Sequence, residues 1–444
     1  MTELPDSNAP PVALRRELGV FGAMMMGLGS IVGTGVFVSI GVAAGVAGPA
    51  VVLAIVIAAL VAMCNAFSSA QLAARHAVSG GTYEYGYIYL HPALGFTAGW
   101  MFLCAKSASA ATAALGFAGY LLHTINGGDQ RWLVPLALVT CVLLSLIVLS
   151  GIRRSNLTNI IIVSITLTTL AVFVLAGLPL LLRNGTARLT PFFAPGDAAG
   201  AGGIQGLLYA TALMFVAYTG YGRIATLGEE VRDPHRTIPK AIVLTLVVSA
   251  ALYIAVGVVA IAAVGAGPLS EATENRAAPL EIVSRQFDMP GVHWLVAIGA
   301  MTAMLGVLLN LILGLSRVVL AMGRRNDLPA ATAKLNASNT TPYVAVIVVG
   351  VIVTGLAAIG SVKTTWAFSA FTVLIYYAIT NLAALRLKKV DRLYSPIFAW
   401  CGLLARLFLA FWVDWQIWLT GLGLIALGLL WHLIRHRRMG GVRE

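Results

Sequence analysis

Apolar runs of about twenty residues follow one another along almost the whole chain, and this repetition limits the fold more than any other feature. A bilayer core of about 30 Å is crossed by about 20 helical residues. The runs are residues 20–46, 49–73, 95–124, 132–151, 157–181, 203–228, 239–265, 293–322, 343–361, 364–385, 396–413 and 415–433. The sequence therefore predicts an all-α polytopic membrane protein with twelve transmembrane helices.

Composition agrees with a membrane protein. Of the residues, 59% are apolar and 10% are charged. In soluble domains, about 45–50% of residues are apolar and about 25% are charged. A mean hydropathy of +0.89 excludes a soluble enzyme, a disordered regulator and a disulfide-stapled secreted module. The four cysteines lie inside apolar runs without a CxxC pair or a His/Cys cluster. Neither a disulfide nor a metal site is predicted, and no cofactor is implied.

Lysine and arginine are distributed unevenly between the loops. If the N-terminus is cytoplasmic, the inner loops and both termini carry 19 of the 29 basic residues, and the outer loops carry 6. Basic residues concentrate on the cytoplasmic side of membrane proteins. We therefore expect a multi-pass protein of the cell (inner) membrane with both termini cytoplasmic. The net charge of +12 then reflects topology in a bilayer, and no nucleic-acid partner is expected.

Two glycine-rich clusters interrupt apolar runs at equivalent places. One is residues 29–37 in the first span, and the other is residues 215–222 in the sixth. They lie five spans apart, so the second block of five spans would have inverted topology. Interrupted helices at matching places in inverted halves are typical of secondary transporters with a site at the bilayer midplane. Close helix packing through Gly29 and Gly33 is the alternative for the first cluster.

A pair of broken helices can bind a zwitterion. Freed N–H groups at the start of a half-helix attract an anion, and freed carbonyls at the end of another attract a cation. No acidic residue lies in the membrane-embedded part of the first span or in the first half of the sixth. The pattern favours recognition of an α-amino acid by backbone groups.

Four segments resemble, in order, the signature segments of the amino acid–polyamine–organocation superfamily of permeases. They are GSIVGTGVF at 29–37, SGGTYEYGY at 79–87, FVAYTGYGRIATLGEEVRDPHRTIPKAI at 215–242 and SRVVLAMGRRNDLP at 316–329. The resemblance extends over residues from about 15 to 390 and implies a leucine-transporter-type 5+5 inverted repeat plus two C-terminal helices. The implied division is a cytoplasmic tail (1–18), a first repeat (19–182), a second repeat (203–387), two added helices (394–434) and a cytoplasmic tail (435–444).

The same resemblance implies a substrate site. Main-chain N–H groups of Gly33, Thr34 and Gly35, with the Thr34 hydroxyl, would bind the substrate carboxylate. The ammonium would be bound by the carbonyls of Ile31, Val216, Ala217 and Thr219. Tyr221 follows the second break, where the family often has an aromatic residue that shields the substrate; an interfacial or packing tyrosine is the alternative.

Lys106 departs from the family pattern. Many proton-linked or exchanging members carry a lysine in the fifth span, where this chain has Thr166, whereas Lys106 lies in the middle of the third span. A charge at that depth costs at least about 2.5–3.5 kcal/mol, so it is a functional candidate. Three interpretations are open: a titrating or cation-mimicking group, a pocket residue that disfavours cationic substrates, or a structural lysine satisfied by helix carbonyls and Ser107 or Ser109.

Other polar residues have weaker expectations. Thr166 with Asn310 and Thr302 would form a weak cation site, or else make interhelical hydrogen bonds. Arg223, after the second break, would pair with a glutamate or contact an intracellular gate, or else face the surface. Glu229 and Glu230 are expected to form an ion-pair belt that changes between conformations.

The predicted function is secondary active transport of an L-amino acid by alternating access, proton-linked or by exchange, because the chain has no GxxxxGK[ST] motif for ATP. The expected partners are the amino acid, the bilayer and H+ or Na+, with no obligatory protein partner. The alternatives are a polyamine or amine permease of the same fold and a membrane-embedded transferase. A transferase would need clustered acid/base or metal groups, but the histidines are scattered and no HExxH motif occurs.

Overall fold

The computed structural model describes residues 18–76, 80–126, 129–151, 156–184, 187–193, 203–225, 231–336 and 341–440. Their regular structure is helical, apart from one parallel β-bridge between Leu18 and Val231. In chain order the α-helices are α1 (Val20–Ile31), α2 (Thr34–Phe37), α3 (Ser39–Ala47), α4 (Val51–Arg75), α5 (Thr82–Tyr89), α6 (Pro92–Asn126), α7 (Leu133–Leu149), α8 (Asn156–Asn184), α9 (Gly203–Ala217), α10 (Gly222–Ala225), α11 (Pro234–Val264), α12 (Ala266–Arg276), α13 (Pro279–Ser284), α14 (Val292–Arg324), α15 (Tyr343–Ala357), α16 (Val362–Leu385), α17 (Pro396–Ala410) and α18 (Trp415–Gly440).

Eight helical segments of the described ranges are long and apolar enough to cross a membrane. They are Ser39–Arg75, Pro92–Ile125, Gln130–Leu149, Leu157–Asn184, Pro234–Val264, Val292–Arg324, Val362–Leu385 and Trp415–Arg435. Three shorter apolar helices are Val20–Ile31, Tyr343–Ala357 and Pro396–Ala410. The chain is thus an all-helical, polytopic protein. Each of the twelve predicted runs coincides with a helix or a broken helix, while the count of twelve crossings and the 5+5 repeat stay predictions.

Both glycine clusters interrupt their helices. The first helix stops at Ile31, passes through extended backbone at Val32 and Gly33, resumes at Thr34 and is interrupted again at Val38. The other stops at Ala217, turns through a short 3-10 segment at Thr219–Tyr221 and continues as α10. Glycine costs about 1 kcal/mol relative to alanine inside a helix, and β-branched neighbours are stiff there, so these clusters are weak points in otherwise apolar helices.

Helix α6 lies at the centre of the bundle. It packs along α14 and α16, and alanines such as Ala105, Ala108 and Ala111 are fully buried on it. Small side chains let helix backbones approach closely in a membrane. By contrast α7 and α18 leave most of their apolar surface exposed in the monomer, as expected for helices that face lipid. Lys106 therefore lies in one of the two most buried of the eight candidate spans, the other being α16.

Candidate functional site

The two breaks touch one another. A Cβ built on Gly35 would lie 2.8 Å from the Cβ of Ala217. A Cβ on Gly220 would overlap the carbonyl group of Ser30. Glycine at both positions lets the two interrupted backbones meet at a distance that no larger residue permits.

A tyrosine of a third helix joins the broken backbones. The hydroxyl of Tyr253, on α11, lies within hydrogen-bond distance of the carbonyl oxygens of Ile31 (2.8 Å) and Ala217 (3.3 Å). Tyr253 is fully buried, and a buried carbonyl outside a regular helix must find a donor. The single O–H group of Tyr253 is thereby placed between the two carbonyls that the breaks release and donates to one of them at a time, a role that no sequence motif indicated.

A small cavity of about 30 Å³ lies between the breaks. The predicted substrate residues Ile31, Thr34, Gly35, Val216, Ala217 and Thr219 line it, together with Ser30, Lys106, Ser109, Val307, Leu311 and Trp366. An apolar cavity that accepts benzene measures about 150 Å³, so this one is contracted. Gly33 and Tyr221 are not among the lining residues.

Lys106 reaches from α6 to the second break. Its Nζ donates to Oγ1 of Thr219 over 2.8 Å, and that hydroxyl lies 2.7 Å from the carbonyl oxygen of Val216. The Lys106 side chain is 8% exposed. Its amine is directed across the cavity, since its described hydrogen bond goes to another helix and not to Ser107 or Ser109.

The Thr34 hydroxyl has a different environment. The residue is 3% exposed and lines the cavity. Its Oγ1 has no hydrogen-bond partner among the described residues. A buried hydroxyl without a partner costs free energy, so this group is a natural contact for a polar ligand.

Tyr221 belongs to a buried polar cluster behind the second break. Asn65 of α4 donates its amide to the Tyr221 hydroxyl, and Asn381 of α16 donates to Asn65 Oδ1 over 2.9 Å. Tyr377 donates to the carbonyl of Thr219 over 2.8 Å. The cluster holds the 3-10 turn through Tyr221 and the carbonyl of Thr219. The asparagines were detectable as polar residues inside apolar runs, but Tyr377 carried no such signal.

The remaining predicted residues are dispersed. The hydroxyls of Thr166 and Thr302 lie within hydrogen-bond distance of carbonyls one turn back in their own helices, and the described contacts include none that joins them to half-buried Asn310. Arg223 lies half-buried in α10. The described residues contain no group of three His, Cys, Asp or Glu side chains that would hold a metal ion.

Glu229 and Glu230 lie outside the described residues. Of the three predicted gate residues, the structure therefore describes Arg223. At the predicted cytoplasmic side it also describes the backbone near Val231. There, the N–H of Arg232 donates to the carbonyl of Leu18 over 2.9 Å, which joins the segment before α1 to the segment that leads into α11.

The comparison with protein families decides the classification. The family model for amino acid permeases matches residues 22–440. The chain belongs to the amino acid permease family. It is 40% identical over 433 residues to an uncharacterized transporter of Mycobacterium tuberculosis, covering 97% of this chain and 93% of that protein. As a permease, this chain is a multi-pass membrane transporter and not an enzyme. The alternative of a membrane-embedded transferase is therefore excluded.

More distant relatives have named substrates. A methylthioribose transporter of Bacillus subtilis is 25% identical, with 85% of this chain and 82% of that protein covered. A branched-chain amino acid permease of the same organism is 24% identical, with 75% and 72% covered. A vacuolar cationic amino acid transporter of Arabidopsis thaliana is 26% identical, with 79% and 59% covered. These names span neutral and cationic substrates.

Proposed function

We propose that this permease moves a small L-amino acid across the inner membrane by alternating access around the cavity between the two breaks. The observation that carries the proposal is that both interrupted backbones and Lys106 line one cavity. Midplane sites between broken helices are where secondary transporters bind their substrates. Both termini would be cytoplasmic, and α1 and α9 would move with their partners relative to the helices around α6.

The substrate carboxylate would bind at Gly33, Thr34 and Gly35. Gly33 caps α2, and Thr34 and Gly35 are its first residues; the first N–H groups of a helix have no acceptor within that helix. The Thr34 hydroxyl has no partner in the described structure. The ammonium would approach the carbonyls of the second break, each of which has two lone pairs. A cavity of about 30 Å³ must widen on binding, so substrate recognition and opening are parts of the same movement.

We further propose that Lys106 couples transport to protons. Its amine is buried, hydrogen-bonded to the second break and inside the cavity. Gain or loss of its proton changes the charge next to the substrate site. In its protonated form Lys106 repels a polyamine, so the amine-permease alternative is less favoured. Thr166 and Asn310 stay secondary candidates for ion coupling.

A ligand screen tests the proposed function. A ligand stabilises the state that it binds, so purified protein in detergent is heated with each of the twenty amino acids, common polyamines and methylthioribose. We expect at least one amino acid to raise Tm and to exchange in proteoliposome counterflow. A response only to polyamines or methylthioribose would replace the amino acid as substrate.

Replacement of Lys106 tests coupling. In Lys106→Met proteoliposomes we expect uptake to lose its response to an imposed pH gradient, because the titrating group is absent, while substrate exchange persists. The measurement is initial uptake with and without the gradient. Lys240→Met, at an exposed position of α11, is the control and should behave as wild type. An unchanged gradient response in Lys106→Met would exclude Lys106 from coupling.

A further inference from the structure

The described side chains around the cavity include a cation and no anion. Lys106 is the one charged residue among the described lining residues, and none of these is acidic. Serine and threonine hydroxyls supply the other polar side chains, apart from the indole of Trp366. That indole donates to the carbonyl of Leu213 over 3.0 Å and is therefore occupied.

The carbonyls that would accept from a ligand cation already have protein donors nearby. The Tyr253 hydroxyl lies within hydrogen-bond distance of the carbonyls of Ile31 and Ala217, and the Tyr377 hydroxyl donates to the carbonyl of Thr219. The Val216 carbonyl faces the Thr219 hydroxyl. Each oxygen keeps one lone pair, so an ammonium can still bind, but it shares every acceptor.

Two donors are under-used. The ammonium of Lys106 has three N–H groups, of which one is described as donating, to Thr219. Thr34 Oγ1 has no partner in the described structure. Both groups line the cavity. A buried cation without a carboxylate is costly, and pairing with an anion that also satisfies its hydrogen bonds lowers that cost.

We propose that the permease selects acidic amino acids, and that Lys106 determines this preference by binding the side-chain carboxylate. The proposal rests on the proposed function and specifies its substrate class. The first break takes the α-carboxylate, with the Thr34 hydroxyl as a donor. Lys106 then neutralises the second carboxylate, so the occupied cavity holds two positive and two negative groups.

Isosteric pairs of amino acids test the charge preference directly. Proteoliposomes containing the full-length chain are loaded with L-glutamate, and counterflow of labelled L-glutamate is inhibited by L-glutamate, L-glutamine, L-aspartate, L-asparagine or L-lysine. Acid and amide have nearly the same shape, so their ratio reports charge. For the wild type we expect half-inhibition by each acid at a concentration at least tenfold below that of its amide, and no inhibition by L-lysine.

The variant Lys106→Gln identifies the residue responsible. We expect the acid-to-amide ratio to fall below threefold, with inhibition by the amides little changed, whereas Lys240→Gln keeps the wild-type ratio. If Lys106→Gln is too unstable to reconstitute, the wild-type ratios still decide the charge preference.

Three outcomes are informative. Equal inhibition by acids and amides, or stronger inhibition by amides, overturns the charge preference and leaves amino-acid transport standing. A wild-type ratio that survives in Lys106→Gln overturns the assignment to Lys106. If L-glutamate shows no counterflow, the same assay is run with labelled neutral and basic amino acids; exchange of these alone overturns only the acidic preference, and exchange of none overturns the proposed function as well.

Discussion

Single glycines determine how closely the two breaks approach. Gly220 packs on the backbone between Ser30 and Ile31, and Gly35 packs on Ala217. A side chain at either position would occupy the space of the other backbone. The closed cavity therefore depends on the absence of a Cβ, and the glycine clusters serve packing and helix interruption together.

We expect Gly220→Ala to abolish exchange and to lower stability by about 1–3 kcal/mol, as overpacking does, because the new methyl overlaps the Ser30 carbonyl. The measurements are counterflow and Tm in detergent. Gly314→Ala is the matched control, since a Cβ there meets nothing within 4 Å and should stabilise α14 by up to about 1 kcal/mol. Wild-type exchange and Tm in Gly220→Ala would refute the close approach.

What the sequence revealed about individual residues depended on how unusual each residue is in its surroundings. Lys106 was recognisable because a charge inside an apolar run is rare and costly. Tyr253 and Tyr377 were not recognisable, since tyrosine is common in membrane helices and its role depends on which carbonyl its hydroxyl reaches. That information is tertiary. The same limit left two roles open for Tyr221, shielding of a substrate or packing; its hydroxyl accepts from Asn65 in the buried cluster.

Short helices and the side chains around them connect the long helices at the end of the molecule opposite Leu18 and Arg232. Tyr120, near the end of α6, lies with its hydroxyl 2.9 Å from the carbonyl of Phe37, and it accepts from the N–H of Leu280. Next to it, Nε2 of His123 lies 2.8 Å from Oε2 of Glu281. Helix α13 is thus fixed both to α6 and to the end of the first break.

The Glu281 carboxyl is the titratable part of this connection. Burial raises its pKa, but the close contact with the His123 imidazole and the hydrogen bond from Arg285 outweigh burial and hold the pKa of Glu281 below its ordinary value. The unfolded chain has the ordinary pKa of about 4.3. The carboxylate therefore contributes stability that is fully present above that pH and is lost as the pH falls through the lower folded-state pKa.

Glu281→Gln should lower stability by about 3 kcal/mol at pH 7, the scale for removing one partner of a buried ion pair. The measurement is the difference in Tm between wild type and variant from pH 7 to pH 3. We expect the difference to be constant above about pH 5 and to shrink below about pH 4. The exposed Glu271→Gln is the control and should change stability by less than about 0.5 kcal/mol. A pH-independent difference would show that Glu281 acts through packing.

The apolar runs and the glycine clusters located the elements and two of their interruptions, but not a third. The apolar runs coincide with the described helices because hydropathy alone determines where a chain can lie in lipid. The second interruption of the first helix, at Val38, was not predicted. Valine gives no sign of a break, which here depends on how α2 and α3 pack against α9 and α6.

At the scale of the whole molecule, single side chains join helices that are far apart in the sequence. On the predicted cytoplasmic side, Asp327 connects three distant parts of the chain. Its Oδ2 accepts from Tyr83 and Tyr87 of α5 at 2.7 and 2.6 Å. Its Oδ1 lies 3.4 Å from Nδ1 of His432 on α18, and its carbonyl accepts from the indole of Trp431. Such a connection stabilises one arrangement of α5, α14 and α18 relative to one another.

Asp327→Asn should shift the molecule towards states open on the predicted cytoplasmic side, because an amide attracts the two tyrosines and His432 less than a carboxylate does. The measurement uses Ser30→Cys, a cavity residue, in a background with the native cysteines replaced by alanine (Cys64, Cys104, Cys141 and Cys401). In inside-out vesicles we expect a membrane-impermeant maleimide to label Cys at position 30 several-fold faster in the Asp327→Asn variant.

A comparable aspartate separates this effect from a general loss of charge. Asp288 pairs with Arg183 at 3.4 Å, and both side chains are largely exposed, so Asp288→Asn should leave labelling unchanged.

If Asp327→Asn labels at the control rate, the aspartate holds the three helices in every state of the cycle. If it labels faster in right-side-out vesicles alone, the native aspartate disfavours the outward-open state, and the expected role of Asp327 in cytoplasmic closure is wrong. The faster rate from the cytoplasmic side is expected because Asp327 joins α5 and α18 to the end of α14, and α14 also contributes Val307 and Leu311 to the cavity.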